Sequence, residues 1–129
     1  MGTLSRLIDR LLRHRPPRID VHVRVHRAML SDPYAGEAYF VNVLNTSPQQ
    51  SITVTHVLFD AAGTQISVLT RPLPATVLPG EQWETWISPS ELPPGSIDVE
   101  HSFRVVLADD SVVASAPREN APPADSVPD

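Results

Sequence analysis

Hydrophobic residues change their spacing partway along this chain. At the start, Leu4, Leu7, Ile8, Leu11 and Leu12 recur every three or four residues, which lines one side of an α-helix. Ser5 or Thr3 can cap that helix. Pro16 and Pro17 end it, because proline lacks an N–H and biases the residue before it away from helical backbone. The spacing predicts a helix from about Leu4 to His14. So short a helix is marginal in water, so its apolar stripe needs a surface to lie against. Burying all five aliphatic residues would put roughly 1.5 to 3 kcal/mol each at stake.

From Ile19 the period becomes two. Ile19, Val21, Val23 and Val25 alternate with Asp20, His22, Arg24 and His26, the signature of a strand with one buried and one wet face. Turn residues at Ser31 to Gly36 lead into a second strand from about Ala38 to Leu44, which Asn45-Thr46-Ser47-Pro48 breaks. A third, Ser51 to Asp60, has Ile52 and Val54 in one phase but Val57 and Phe59 in the other. Either both its faces are covered, or a bulge near Thr55-His56 resets the phase.

Ala61 to Thr64 turns into a short strand, Gln65 to Leu69. Arg71 to Leu78 carries Pro72 and Pro74 and is at best an edge strand. Pro79-Gly80 then opens a strand from Glu81 to Ser88, with Trp83, Thr85 and Ile87 on one face and Gln82, Glu84 and Trp86 on the other. One tryptophan is therefore expected in the core and the other at least partly exposed. A last hairpin, Ser102 to Ala108 and Ser111 to Ser115, points Phe103, Val105 and Leu107 inward. Beyond Ala116 the prolines 117, 122, 123 and 128 lie among acids, a composition that cannot build a core.

These readings divide the 129 residues into a basic helix and Pro linker over 1–18, a β domain over 19–116 and a disordered Pro-rich acidic tail over 117–129. The expected fold class is all-β, an immunoglobulin-like antiparallel sandwich of about six to eight short strands preceded by the short amphipathic helix.

Charge sharpens the division. Residues 1–27 hold seven Arg against Asp9 and Asp20, a net of +5, while residues 28–129 hold three Arg against thirteen acids, a net of −10. An acidic body argues against a nucleic-acid partner, since affinity for phosphate backbones comes chiefly from Lys and Arg. The absence of Cys removes disulfides, thiolate metal sites and cysteine nucleophiles. Apolar runs near the start are too short for a signal peptide or a spanning helix, so the expected location is cytoplasmic, with peripheral membrane attachment as the alternative.

The segments Thr55-His56-Val57-Leu58-Phe59, Arg71-Pro72-Leu73-Pro74, Leu78-Pro79-Gly80-Glu81, Trp83-Glu84-Thr85-Trp86-Ile87 and Asn120-Ala121-Pro122-Pro123 resemble a family of small bacterial proteins known mainly as uncharacterised. The resemblance covers most of the chain from about Val21. It implies an immunoglobulin-like β-sandwich and carries no activity with it.

Candidate chemistry is sparse. His22 and His26 share a strand face, but four residues of strand separate them by roughly 13 Å, too far to share a metal ion. His56, His101, Asp60 and Glu100 would meet only if the fold brought their strands together. There is no Gly-x-Ser-x-Gly elbow and no Gly-rich phosphate loop. No enzyme, metal or cofactor is expected. Trp83, Trp86, Tyr34, Tyr39 and Phe40 are either core plugs or a ligand platform, with Trp86 the candidate surface aromatic.

The expected function is a non-catalytic protein-interaction module. Its helix, through Leu4, Leu7, Ile8, Leu11 and Leu12 flanked by Arg6, Arg10 and Arg13, would dock on a partner or on a second copy. Packing back on its own sandwich is a further destination. The alternative is a membrane-surface accessory protein held by the basic helix. Protein contact ranks first, because eleven residues without Trp or Phe anchor weakly and an acidic body is repelled by anionic lipid.

Overall fold

The computed structural model describes residues 18–30, 36–61 and 63–118. Among them are nine strands: β1 (Val21–Met29), β2 (Glu37–Asn45), β3 (Ile52–Ala61), β4 (Thr64–Ser67), β5 (Ala75–Val77), β6 (Gln82–Ile87), β7 (Phe103–Leu107), β8 (Val112–Ala114) and β9 (Ala116–Pro117). They form a four-stranded sheet in the order β6-β2-β1-β9 and a five-stranded sheet in the order β4-β3-β7-β8, with β5 also pairing with β3. The expected amphipathic helix and most of the expected acidic tail lie outside the described residues.

Alternation decides which side chains enter the core. Val21, Val23 and Val25 of β1 face inward with Tyr39, Val41 and Val43 of β2, and Thr85 and Ile87 of β6 continue that face. From the second sheet come Ile52, Val54, Val57 and Phe59, with Phe103, Val105, Leu107 and Val113. These residues belong to a single apolar cluster, so the two sheets pack face to face. The rings of Phe59 and Phe103 meet edge to face at 5.2 Å in its middle.

The phase conflict in β3 is resolved by a bulge. Pairing with β7 shifts register between Val54 and His56, so Ile52 and Val54 before the shift and Val57 and Phe59 after it all face inward. The Thr55 hydroxyl donates to the Val106 carbonyl at 3.0 Å, giving a side-chain bond where the ladder is interrupted.

Several expectations are corrected. The described residues hold nine strands rather than six to eight, and the sheets are not wholly antiparallel, because β9 runs parallel to β1. Pro117, expected in the tail, therefore belongs to a strand with Ala116. Proline is tolerated there at a sheet edge, and the Arg118 N–H bonds the Val25 carbonyl at 3.0 Å. Ile19 precedes β1 and is 88% exposed, so the alternation that includes it does not bury it. Only Ala75–Val77 of the Pro-rich stretch is strand, paired to the edge of β3.

The chain leaves the second sheet for the first at Ser115, whose side chain replaces part of the broken ladder. Its Oγ accepts the Phe103 N–H at 3.0 Å and donates to the Glu100 carbonyl at 2.7 Å. A similar substitution occurs at Asn45, fully buried at the end of β2. Its Nδ2 donates to the carbonyls of Gln50 at 2.8 Å and Val77 at 3.0 Å, and its Oδ1 accepts from the Ser47 N–H at 3.0 Å. Its backbone also bonds Glu81 and Gly80, fixing the Leu78-Pro79-Gly80-Glu81 turn. Gly80 has φ +76°, the left-handed backbone that this turn requires and glycine adopts without strain.

Two substitutions test this account by urea unfolding. Asn45→Ala strands the partners of its side chain on two segments, the 45–50 loop and β5, and is expected to cost about 2–4 kcal/mol. Thr85 is the opposite case, a buried hydroxyl without a hydrogen-bond partner. Thr85→Val keeps its shape and is expected to raise stability by up to about 1 kcal/mol, and a clear loss would mean that the hydroxyl has a partner.

Candidate interaction surface

With the inward side chains of the four-stranded sheet committed to the core, its outward ones form rows across three strands. Register places His26 opposite Phe40 and Phe40 opposite Trp86. The rings touch in that order. His26 stacks on Phe40 at 5.3 Å with the planes 15° apart, and Phe40 meets Trp86 at 6.2 Å and 41°. All three are half-buried, an aromatic strip across the sheet surface.

The next row is polar, with Arg24 opposite Asn42 and Asn42 opposite Glu84. Asn42 Nδ2 donates to Gln82 Oε1 at 2.9 Å. Together with His26, Trp83 and Arg118 these residues line a shallow depression of about 480 Å³. Burial makes His26 less basic than a free histidine, the Arg118 charge pushes the same way, and Glu84 partly opposes them. The result is an apolar strip bordered by groups of both charges.

The nearby edge of this sheet is partly occupied. The Thr70 hydroxyl donates to the Trp86 carbonyl, and Arg71 Nη1 donates to the Glu84 carbonyl at 3.1 Å. The Arg71 guanidinium also lies over the Trp83 ring, 5.8 Å from its centre. Both β6 carbonyls are thus engaged by side chains of this chain, which favours the face over this edge as a docking surface.

Of the site residues expected from the sequence, Leu4, Arg6, Leu7, Ile8, Arg10, Leu11, Leu12 and Arg13 lie outside the described residues, as does Tyr34. Trp86 lies half-buried on the outward face, whereas Trp83 and Tyr39 pack towards the core. Phe40, considered only as one aromatic among several, is the centre of the strip. Its pairing with His26 is not visible in the sequence, because alternation gives a residue's face and not its partner across the sheet.

The remaining described histidines join no metal-binding group. His56 Nδ1 lies 3.0 Å from the Thr55 hydroxyl, which also bonds the Val106 carbonyl. His101 lies beside exposed Asp98 at 3.8 Å. Among the described residues no group of three or more His, Asp or Glu is placed to hold a metal ion, and no helix is long and apolar enough to cross a membrane. No family model, curated protein or solved structure matches this chain.

The lowered basicity of His26 sets the sign of a pH effect. The unfolded chain takes up a proton near the ordinary pKa of about 6.5 and the folded one only at lower pH, so the contribution is full above that value and is lost as pH falls below it. Urea midpoints at pH 7.5 and 5.5 are expected to converge in His26→Gln relative to the parent chain.

Proposed function

We propose that this chain is a non-catalytic protein-interaction module built on an immunoglobulin-like sandwich. The strand order supports the fold reading. β1, β2 and β6 share one sheet while β3, β7 and β8 share the other, the division of A, B and E from C, F and G in immunoglobulin domains. The resemblance to uncharacterised bacterial sandwich proteins points the same way.

One observation carries the functional reading: the His26–Phe40–Trp86 strip lies on an outward sheet face, beside a polar depression. Aromatic side chains with mixed charge at their rim are the composition of protein-binding surfaces. The basic helix is the second element of the module and docks through Leu4, Leu7, Ile8, Leu11 and Leu12 on a protein surface, a partner's or a copy's. Attachment to an anionic membrane surface is the competing reading, favoured only by the arginines Arg6, Arg10 and Arg13.

The strip is tested with Phe40→Ala and Trp86→Ala, whose side chains are half outside the core. Protein captured by the parent chain from its own cell extract is expected to be lost from both variants while cooperative unfolding persists. An unchanged set of captured proteins would remove the strip from the interaction. Chain lacking residues 1–17 is expected to show no flotation deficit against the intact chain with anionic liposomes, and salt-sensitive flotation of the intact chain alone would favour the membrane reading.

A further inference from the structure

The five-stranded sheet carries an apolar cluster on the side facing away from the core. Leu58, Val106 and Val112 form it and are 0%, 6% and 8% exposed. Alternation puts them there, since Val57, Val105 and Val113, their chain neighbours, all belong to the main core. Val106 and Val112 are directly opposite each other, and Leu58 is paired with Arg104, beside them. Outward side chains become this inaccessible only when something lies over them. Every described strand is placed in one of the two sheets, and the other sheet covers the inner face. The Arg104 guanidinium is engaged with the carbonyls of His101 and Phe103.

A second observation lies on the same face. Gln65 is paired with Asp60 and shares the outward side, and both polar atoms of its amide are inaccessible and without a partner. An amide on an open sheet face would be hydrated.

We infer that residues 4–14 of this same chain dock on the outward face of the five-stranded sheet, with Leu4, Leu7, Ile8, Leu11 and Leu12 seated over Leu58, Val106 and Val112. This rests on the docking stripe of the preceding reading and places it on the chain's own sheet instead of on a partner or a copy. The entry point supports it. Arg18 Nη1 is paired with Asp109 Oδ2 at 2.7 Å, and Asp109 lies in the β7–β8 turn, next to the Val106–Val112 pair. Only Arg15, Pro16 and Pro17 separate this anchor from the helix, a tether of about 3 Å per residue in extended proline backbone. So short a link holds these residues at this face at an effective concentration far above that of a separate molecule.

Dimensions and charge agree. Eleven helical residues span about 16 Å, and the five residues of β7 about 17 Å. Running from the β7–β8 turn to the far end, such a helix sets Arg13 and Arg15 near Asp109 and Asp110, and Arg6 near Asp60. It covers one outer face and leaves the aromatic strip, on the other sheet, free.

The chain has no cysteine, so introduced pairs report the contact directly. Under mild oxidation of dilute intact protein, Leu11→Cys combined with Val112→Cys is expected to give mostly an internally linked monomer, reversed by reductant and several-fold above Leu11→Cys with Asn42→Cys on the opposite face. Ala114→Cys, at an exposed position beside the patch, serves if Val112→Cys impairs folding. Equal linking of both pairs overturns the proposal. A linked dimer from the first pair also overturns it, placing the helix on a second copy and leaving the docking reading intact. No link, together with helical circular dichroism unchanged on removing residues 1–17, sinks both. No link in a chain that floats with anionic phospholipid vesicles moves the helix to a membrane.

Discussion

The side-chain amide of Asn45 is the constraint on which the joining of the two sheets depends. It sits at the end of β2, in the first sheet, and donates to Val77 of β5, in the second. A buried amide is costly unless each of its polar atoms is paired, so burial and bonding here enforce one another. Because the amide's partners lie on the 45–50 loop and β5, while the Asn45 backbone holds the turn at Gly80, moving the loop or β5 would leave a buried group stranded. The apolar core then only has to fill the space this geometry defines.

The same logic recurs where the backbone ladder is interrupted. At the β3 bulge a threonine hydroxyl satisfies the Val106 carbonyl, and where the chain changes sheets Ser115 both accepts and donates. Small hydroxyl and amide side chains stand in for missing strand partners, and each lets the chain turn without leaving a buried polar group unpaired. Thr85, which has no such partner, is the exception in the core.

The two outer faces diverge in character. On the four-stranded sheet the outward residues are aromatic and charged, stacked across strands and bordered by a depression, the composition proposed here for contact with another protein. The five-stranded sheet turns aliphatic residues outward, a face that needs a cover. Under the proposed assignment of residues 4–14 to the second face, the first is left for a partner.

Much of the fold was legible in the residues themselves. Alternation through Val21, Val23 and Val25 and through Trp83, Thr85 and Ile87 assigns their faces, because a strand's period of two is a local property of the backbone. The phase break between Val54 and Val57 pointed to a bulge for the same reason, and so did the turn at Pro79-Gly80. What local pattern does not carry is pairing. The meeting of His26, Phe40 and Trp86, the parallel β9 beside β1, and the gathering of Leu58, Val106 and Val112 on one face all depend on which strands lie side by side and in what register. Those choices are made by contacts between residues far apart in the chain, so only the tertiary structure decides them, while the sequence by itself determines the alternation that assigns strand faces and the helical spacing of aliphatic residues in 4–14.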